Sequence, residues 1–286
     1  MDLNGDGHKD ILSGSYSRMD KSMAGLFQVL WGRPDGTFSK AEALNGADGA
    51  PLIIPTKGEN EVVEAICTRP FAGDWDGDNQ LDLVVGNFAG SFYVFTGQAG
   101  GKFNPAPRKL MIGDEPLMVT GAHSDPFVVD WDGDGDLDLV SGSSKGGVEW
   151  AENLAGRGKP PRLAKFKPLI PAPEQLQSGY RENEVVAPAG ATRVWVADFN
   201  SDGKLDLLVG DNVAIVSPAE GVSEADFAKR RAAWTETYAA LTKEAADATD
   251  EVKQSAVYER MNKLYQDRNE FMNEELTGFV WLYLRK

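Results

Sequence analysis

Asp130-Trp-Asp-Gly-Asp-Gly-Asp-Leu-Asp138, running straight into Leu139-Val-Ser-Gly142, places five aspartates in nine residues. Unneutralised carboxylates packed so closely repel one another, so a loop of this composition is suited to surrounding a hard cation. The pattern occurs four times. Asp2-Leu-Asn-Gly-Asp-Gly-His-Lys-Asp10, Asp74-Trp-Asp-Gly-Asp-Asn-Gln-Leu-Asp82 and Asp198-Phe-Asn-Ser-Asp-Gly-Lys-Leu-Asp206 align with it residue for residue. Each continues with Ile or Leu and reaches a glycine at its thirteenth position: Gly14, Gly86, Gly142 and Gly210.

Calcium takes six to eight oxygen ligands, with carboxylates and backbone carbonyls preferred. Side chains at the first, third, fifth and ninth positions can supply them: Asp2, Asn4, Asp6 and Asp10; Asp74, Asp76, Asp78 and Asp82; Asp130, Asp132, Asp134 and Asp138; Asp198, Asn200, Asp202 and Asp206. The seventh position is His8, Gln80, Asp136 and Lys204, four unrelated side chains, as expected if it coordinates only through its backbone carbonyl. The expectation is up to four Ca²⁺ ions, one per loop. An EF-hand needs a bidentate Glu at position twelve between two helices, whereas position twelve here is Ser13, Val85, Ser141 and Val209 and a strand-like run follows. Magnesium prefers to keep its waters, and zinc calls for nitrogen or sulfur ligands where the four side-chain positions offer only oxygen.

The 286 residues carry 42% apolar side chains, enough for one large folded domain or two ordinary ones. The net charge of −15 leaves no basic surface for neutralising phosphates, which excludes a nucleic-acid partner. Fourteen loop aspartates create that imbalance: taking them from the 44 acids leaves 30 against 29 bases. Cys67 is alone, so no intramolecular disulfide forms, and its expected role is that of a small buried hydrophobe. No apolar run is long enough to span a membrane, and no charged-then-apolar leader precedes Asp2.

The first loop aspartates fall at 2, 74, 130 and 198, a spacing that suits one small antiparallel sheet per repeat. After each loop comes a short β-like run, then an aromatic alternating one: Leu26–Trp31, Ser91–Phe95, Val148–Trp150 and Phe279–Leu284. Phe38, Phe103 and Phe166 are read as opening a third run, and Pro126–Val129 and Arg193–Ala197 precede their loops as further strands. Four strands with the acidic loop between the first and second make the plan of a β-propeller blade. Counted this way the repeats hold three, four, four and three strands.

The four copies of D-x-[DN]-x-D-G-x-x-D-[IL] resemble the FG-GAP and VCBS repeats, a family that includes calcium-loaded propellers of integrin α subunits and of some fungal lectins. The resemblance covers about residues 1–218 and 277–286. Asn79 replaces glycine at the sixth position of one loop, and Asn tolerates the left-handed conformation needed there. The family's Gly-Ala-Pro is absent, the chain reading Gly86-Asn-Phe and Gly142-Ser-Ser, closer to the VCBS variant. The resemblance implies an all-β fold of about four calcium-loop blades, a portion of a larger ring, in a periplasmic or secreted setting.

One segment breaks the pattern. Ser223-Glu-Ala-Asp226 reads as a helix start, followed by Phe227, Arg231, Trp234, Tyr238 and Leu241 on one stripe. Thr249-Asp-Glu-Val252 restarts a second helix carrying Met261, Leu264 and Phe271. The expected division is therefore blades over 1–222, an inserted helical hairpin over 223–275, and a final strand over 276–286.

In a propeller the acidic loops share one face, and the other face receives the remaining connections. There the sequence puts Ser15–Met23, the segments around 56–64, 112–125 and 172–192, and the helical hairpin. Asn-Glu-Val-Val recurs at Asn60–Val63 and Asn183–Val186, either as a connector packed through its valines or as part of a site with Arg69, His123, Arg181 and Arg193. Trp75 and Trp131 read as packing between blades, not as sugar platforms. No Ser-His-Asp order, phosphate loop or Cys/His cluster is visible. Two function classes remain: a non-catalytic module binding carbohydrate or protein, and an enzyme acting on sugars as a lyase or dehydratase. The oligomeric state is left open.

Overall fold

The computed structural model describes the chain except residues 17–25, 57 and 58, and the side chains of 59–61. Most of the Ser15–Met23 segment, and the Asn60 and Glu61 side chains, therefore lie outside the described residues. The chain is mostly β with two helices and divides into two compact units. The first unit holds Met1–Pro173, Gly190–Asp211 and Val280–Lys286; the second holds Glu174–Ala189 and Asn212–Phe279.

Four antiparallel sheets follow one another along the first unit. Ile11–Ser13, Gln28–Leu30 and Glu42–Ala43 form the first sheet, and Arg69–Gly73, Asp82–Gly86, Phe92–Phe95 and Arg108–Lys109 the second. Asp125–Val129, Asp138–Gly142, Val148–Ala151 and Lys167–Ile170 form the third; Arg193–Ala197, Asp206–Gly210 and Val280–Tyr283 form the fourth. Among the described residues these sheets hold three, four, four and three strands. Phe103 differs from the sequence reading: the residue sits in a two-stranded ribbon, Gly97–Gln98 with Lys102–Phe103, and Phe38 makes an isolated bridge to Gly32.

The two-residue period of a strand decides how the sheets stack. In the second sheet Leu83 and Val85 join Leu12 and Val29 of the first and the adjoining Phe27, whereas Val84 points the other way to Val128 and Leu139 of the third. Val140 and Phe127 of the third sheet then meet Val194, Leu207 and Val209 of the fourth. Trp75 and Trp131 are buried in the second and third of these clusters. No closed ring of sheets is formed among the described residues: Ile11 on the first sheet and Trp195 on the fourth are both exposed.

The thirteenth-position glycines mark where each sheet meets the next. A Cβ on Gly14 would lie 1.7 Å from the Thr68 carbonyl oxygen, on Gly86 2.3 Å from that of Ser124, and on Gly142 2.2 Å from that of Thr192. Only glycine admits a neighbouring backbone so close.

In the second unit helix α1 (Glu224–Asp247) packs beside helix α2 (Glu251–Arg268), and Val213–Pro218 pairs with Met272–Thr277 in a two-stranded ribbon. Ser223 caps α1, its Oγ accepting from the Asp226 amide at 3.2 Å, and Asp250 caps α2 through the Lys253 amide at 2.9 Å. Phe227, Trp234, Phe271 and Met272 make one core cluster with Val216, and Leu241, Ala245 and Val257 make another.

Candidate functional site

All four acidic loops fold alike. The first-position carboxylate accepts from the amide of the sixth residue: Gly7 to Asp2 at 2.9 Å, Asn79 to Asp74 at 3.0 Å, Gly135 to Asp130 at 3.0 Å and Gly203 to Asp198 at 2.9 Å. The fifth-position carboxylate accepts from the seventh amide, of His8, Gln80, Asp136 and Lys204, at 2.7–3.0 Å. Those turns require left-handed residues at positions four and six. Asn79 adopts it with φ 67°, and Ser201 takes the fourth position with φ 61°.

The ninth aspartates are buried. One oxygen accepts from the second-position amide, of Leu3, Trp75, Trp131 or Phe199, at 2.8–3.0 Å. The other accepts from the chain leaving the strand paired with the one after the loop, at Gly32, Gly97, Asn153 or Arg285, at 2.6–2.9 Å. Each ninth carboxylate thus ties its loop to the rest of its sheet, a role that local spacing does not reveal.

Asp74, Asp76 and Asp78 bring one carboxylate oxygen each within 4.8 Å of one another, as do Asp130, Asp132 and Asp138. In the first and fourth loops the third-position Asn4 and Asn200 amides donate to Asp6 at 3.0 Å and Asp202 at 3.1 Å. Burial raises the Asp82 carboxyl above its usual range and pushes Asp138 up to about 6. Asp74 Oδ1, Asp76 Oδ1 and Asp136 Oδ1 are buried without a hydrogen-bond donor. Buried anionic oxygens lacking donors are costly, and an oxygen-seeking cation supplies the missing charge, so the residues present fit such an ion. Asp136 departs from the other seventh-position residues. Its side chain is buried, one oxygen accepts from the Gly156 amide at 2.6 Å, and it lines a crevice of about 320 Å³ with Asp74, Asp76, Arg157 and Lys159.

The loop-and-strand repeat agrees with a comparison of the sequence with known families: the model of the FG-GAP-like repeat matches residues 74–141 and 130–209. The chain carries FG-GAP-type repeats. The two matches run from the second loop through the strand after the fourth, and FG-GAP repeats point to a β-propeller-like binding module.

Away from the loops, the first residues of the strands that precede the second, third and fourth loops come together. Asp125 lies between Arg193, 3.2 Å away, and Arg69, 3.8 Å away. Burial, then the neighbouring Arg193, lower the Arg69 guanidinium to about 10, and burial raises Asp125 against the pull of both arginines. Arg69 also donates to the His123 carbonyl at 3.0 Å. His123, with φ 60°, lies against the Phe88 ring, and burial and the two arginines lower its pKa. The first unit thus gathers Arg69, His123 and Arg193 around Asp125, while in the second unit Arg181 pairs with Glu224 at 2.8 Å. Asn60–Val63 lies in a short 3-10 turn and Asn183–Glu184 ends another; in each segment the first valine, Val62 or Val185, is half-buried and the second, Val63 or Val186, exposed. Cys67 is buried with its thiol pKa raised by desolvation. Among the described residues no helix is long and apolar enough to cross a membrane.

Proposed function

We propose that this chain is a calcium-stabilised, β-propeller-like binding module that works outside the cytoplasm and takes a carbohydrate or protein ligand without transforming it. One observation carries the calcium reading: Asp74 and Asp76 sit in a three-carboxylate cluster and each keeps a buried oxygen that no donor reaches. The ions would be held by side chains at the first, third, fifth and ninth loop positions and by the seventh carbonyl. Bound there, calcium supplies positive charge that neutralises the loop and fixes the turn between two strands. The chain's own residues already shape each loop through the amides donated to the first, fifth and ninth carboxylates. The expected affinities are about 10⁻⁴ to 10⁻³ M, the range of extracellular modules.

Calcium titration followed by calorimetry and by thermal unfolding tests the reading. At about one hundred times Kd a single site adds about 2.7 kcal/mol, so EDTA is expected to lower the melting midpoint clearly. Asp76→Asn and Asp132→Asn are each expected to remove part of that response. A midpoint that EDTA leaves unmoved overturns the calcium role. Glycan-array binding with and without calcium separately tests the carbohydrate ligand.

A further inference from the structure

In the second and third sheets, the turn that follows the third strand rests on the acidic loop of the preceding sheet. A Cβ on Gly101 would lie 2.7 Å from the Leu3 carbonyl oxygen of the first loop, and a Cβ on Gly77 of the second loop 3.2 Å from Gly158 Cα. These turns differ in length. Gly32 bridges to Phe38 across residues 33–37 and Gly97 pairs with Phe103 across 98–102, five residues each, whereas Asn153 bridges to Leu163 across the nine residues 154–162. The longer turn carries Gly156-Arg157-Gly158-Lys159.

Asn153 braces this turn. Its Oδ1 accepts from the Ala155 amide at 3.1 Å and the Arg162 amide at 2.9 Å, and its Nδ2 donates to the Leu137 carbonyl at 3.1 Å. The Gly156 amide is fastened to Asp136 at 2.6 Å, and Arg157 Cδ lies 3.5 Å from the position of a Cβ on Gly135 of the third loop. Between the turn and the second loop runs the crevice of about 320 Å³, and its lining leaves polar groups unmatched. Trp75 and Asp136 are only 3% and 5% exposed, yet Trp75 Nε1 has no acceptor and Asp136 Oδ1 no donor. Arg157 and Lys159 line the same crevice, and among the described residues neither forms an ion pair. Buried polar groups are ordinarily paired, so a ligand here must offer a hydroxyl to Asp136 and an oxyanion to the two cations and the indole. The volume is at the lower end for ligand clefts and suits a single sugar residue.

We infer that this crevice binds a hydroxylated carboxylate of monosaccharide size, the chemistry of a uronic acid, with Arg157 and Lys159 on the carboxylate and Asp136 Oδ1 on a hydroxyl. The site narrows the carbohydrate reading to an acidic sugar and rests on the calcium proposed above. Asp74, Asp76 and Asp136 outnumber the two bases of the lining, and a divalent ion held by the second loop reverses that balance in favour of an anion.

Calorimetric titration of the whole chain with glucuronate at saturating calcium tests this. Glucuronate is expected to bind, while glucose, which lacks the charge, and acetate, which lacks the hydroxyls, bind about tenfold or more weakly. Arg157→Gln and Lys159→Gln are each expected to weaken glucuronate about tenfold, the worth of a charge-assisted hydrogen bond. Calcium uptake by the same variants, titrated separately, is expected to be unchanged or tighter, because neither side chain offers the ion an oxygen. EDTA is expected to abolish glucuronate binding. Normal calcium uptake without glucuronate binding would overturn the inference and leave the calcium reading standing. So would glucose or acetate binding as tightly as glucuronate, variants that bind glucuronate like the original, or binding that EDTA leaves intact. Absence of calcium uptake would overturn both.

Discussion

Asp206 shows how much one side chain of the repeat carries. It is fully buried, and its two oxygens accept from the Phe199 amide at 3.0 Å and the Arg285 amide at 2.9 Å. Removing the carboxylate leaves two part-buried amides without their acceptor, at up to about 1–3 kcal/mol each. Asp206→Ala is expected to cost about 2–5 kcal/mol in urea unfolding, with EDTA present as well as absent. A loss confined to calcium-containing buffer would mean that the aspartate acts only through the ion. Ser201 offers a finer probe, because it holds φ 61° where the other three loops have glycine. Ser201→Gly is expected to leave or raise the melting midpoint, and Ser201→Val to cost about 1–2 kcal/mol, which chemical denaturation can measure. The loop pattern and the left-handed Asn79 were legible because local spacing encodes both. The tie from Asp206 to Arg285 was not, since the partner lies 79 residues away.

At the scale of elements, the helices were legible from their period and caps. Phe227, Trp234 and Leu241 are buried on one side of α1 as that period requires. On α2, Val252 is exposed at the first turn, while Val257 takes the buried place. The ribbon of Val213–Pro218 and Met272–Thr277 escaped the sequence reading because two short strands separated by more than fifty residues carry no shared local signal. Trp234 stacks on Tyr238 with ring centroids 5.1 Å apart, meets Tyr265 edge-on, and donates from its indole to the Leu264 carbonyl at 2.9 Å. Trp234→Ala is expected to cost the second unit about 3–5 kcal/mol, read by loss of helical circular dichroism on heating, while the calcium response of the loops persists. Arg231 pins the 174–189 segment by donating to the Gly179 carbonyl at 2.6 Å and pairing with Glu184 at 2.8 Å. The guanidinium donating to its carboxylate holds Glu184 below its usual range. Its contribution is therefore present above the ordinary carboxylate pKa and is lost as pH falls through the lowered one. Arg231→Met is expected to flatten the acid limb of the second unit's stability profile; an unchanged limb would count against the pair.

For the whole molecule, the placement of the insertion matters more than its content. The chain leaves the fourth sheet after Gly210 and re-enters at Val280, and those two residues are paired across the sheet. Trp281 fastens the exit by donating to Asp211 at 3.2 Å. Everything from 212 to 279 therefore departs from and returns to one point, as a long excursion from a hairpin turn would. A hairpin needs only about two to five residues to connect its strands. Replacing residues 212–279 by a short glycine-containing turn is thus expected to leave the four sheets folded, with a calcium-dependent melting midpoint within about 5 °C of the intact chain. The loss should appear in helical circular dichroism alone, because α1 and α2 belong to the removed part. If the shortened protein unfolds, the strand Val280–Tyr283 does not hold its place through pairing with Asp206–Gly210, and the excursion contributes to the fold of the repeats themselves. If it folds and still binds the ligand of the intact protein, recognition resides in the repeats; if it folds and binding is lost, the helical unit carries it.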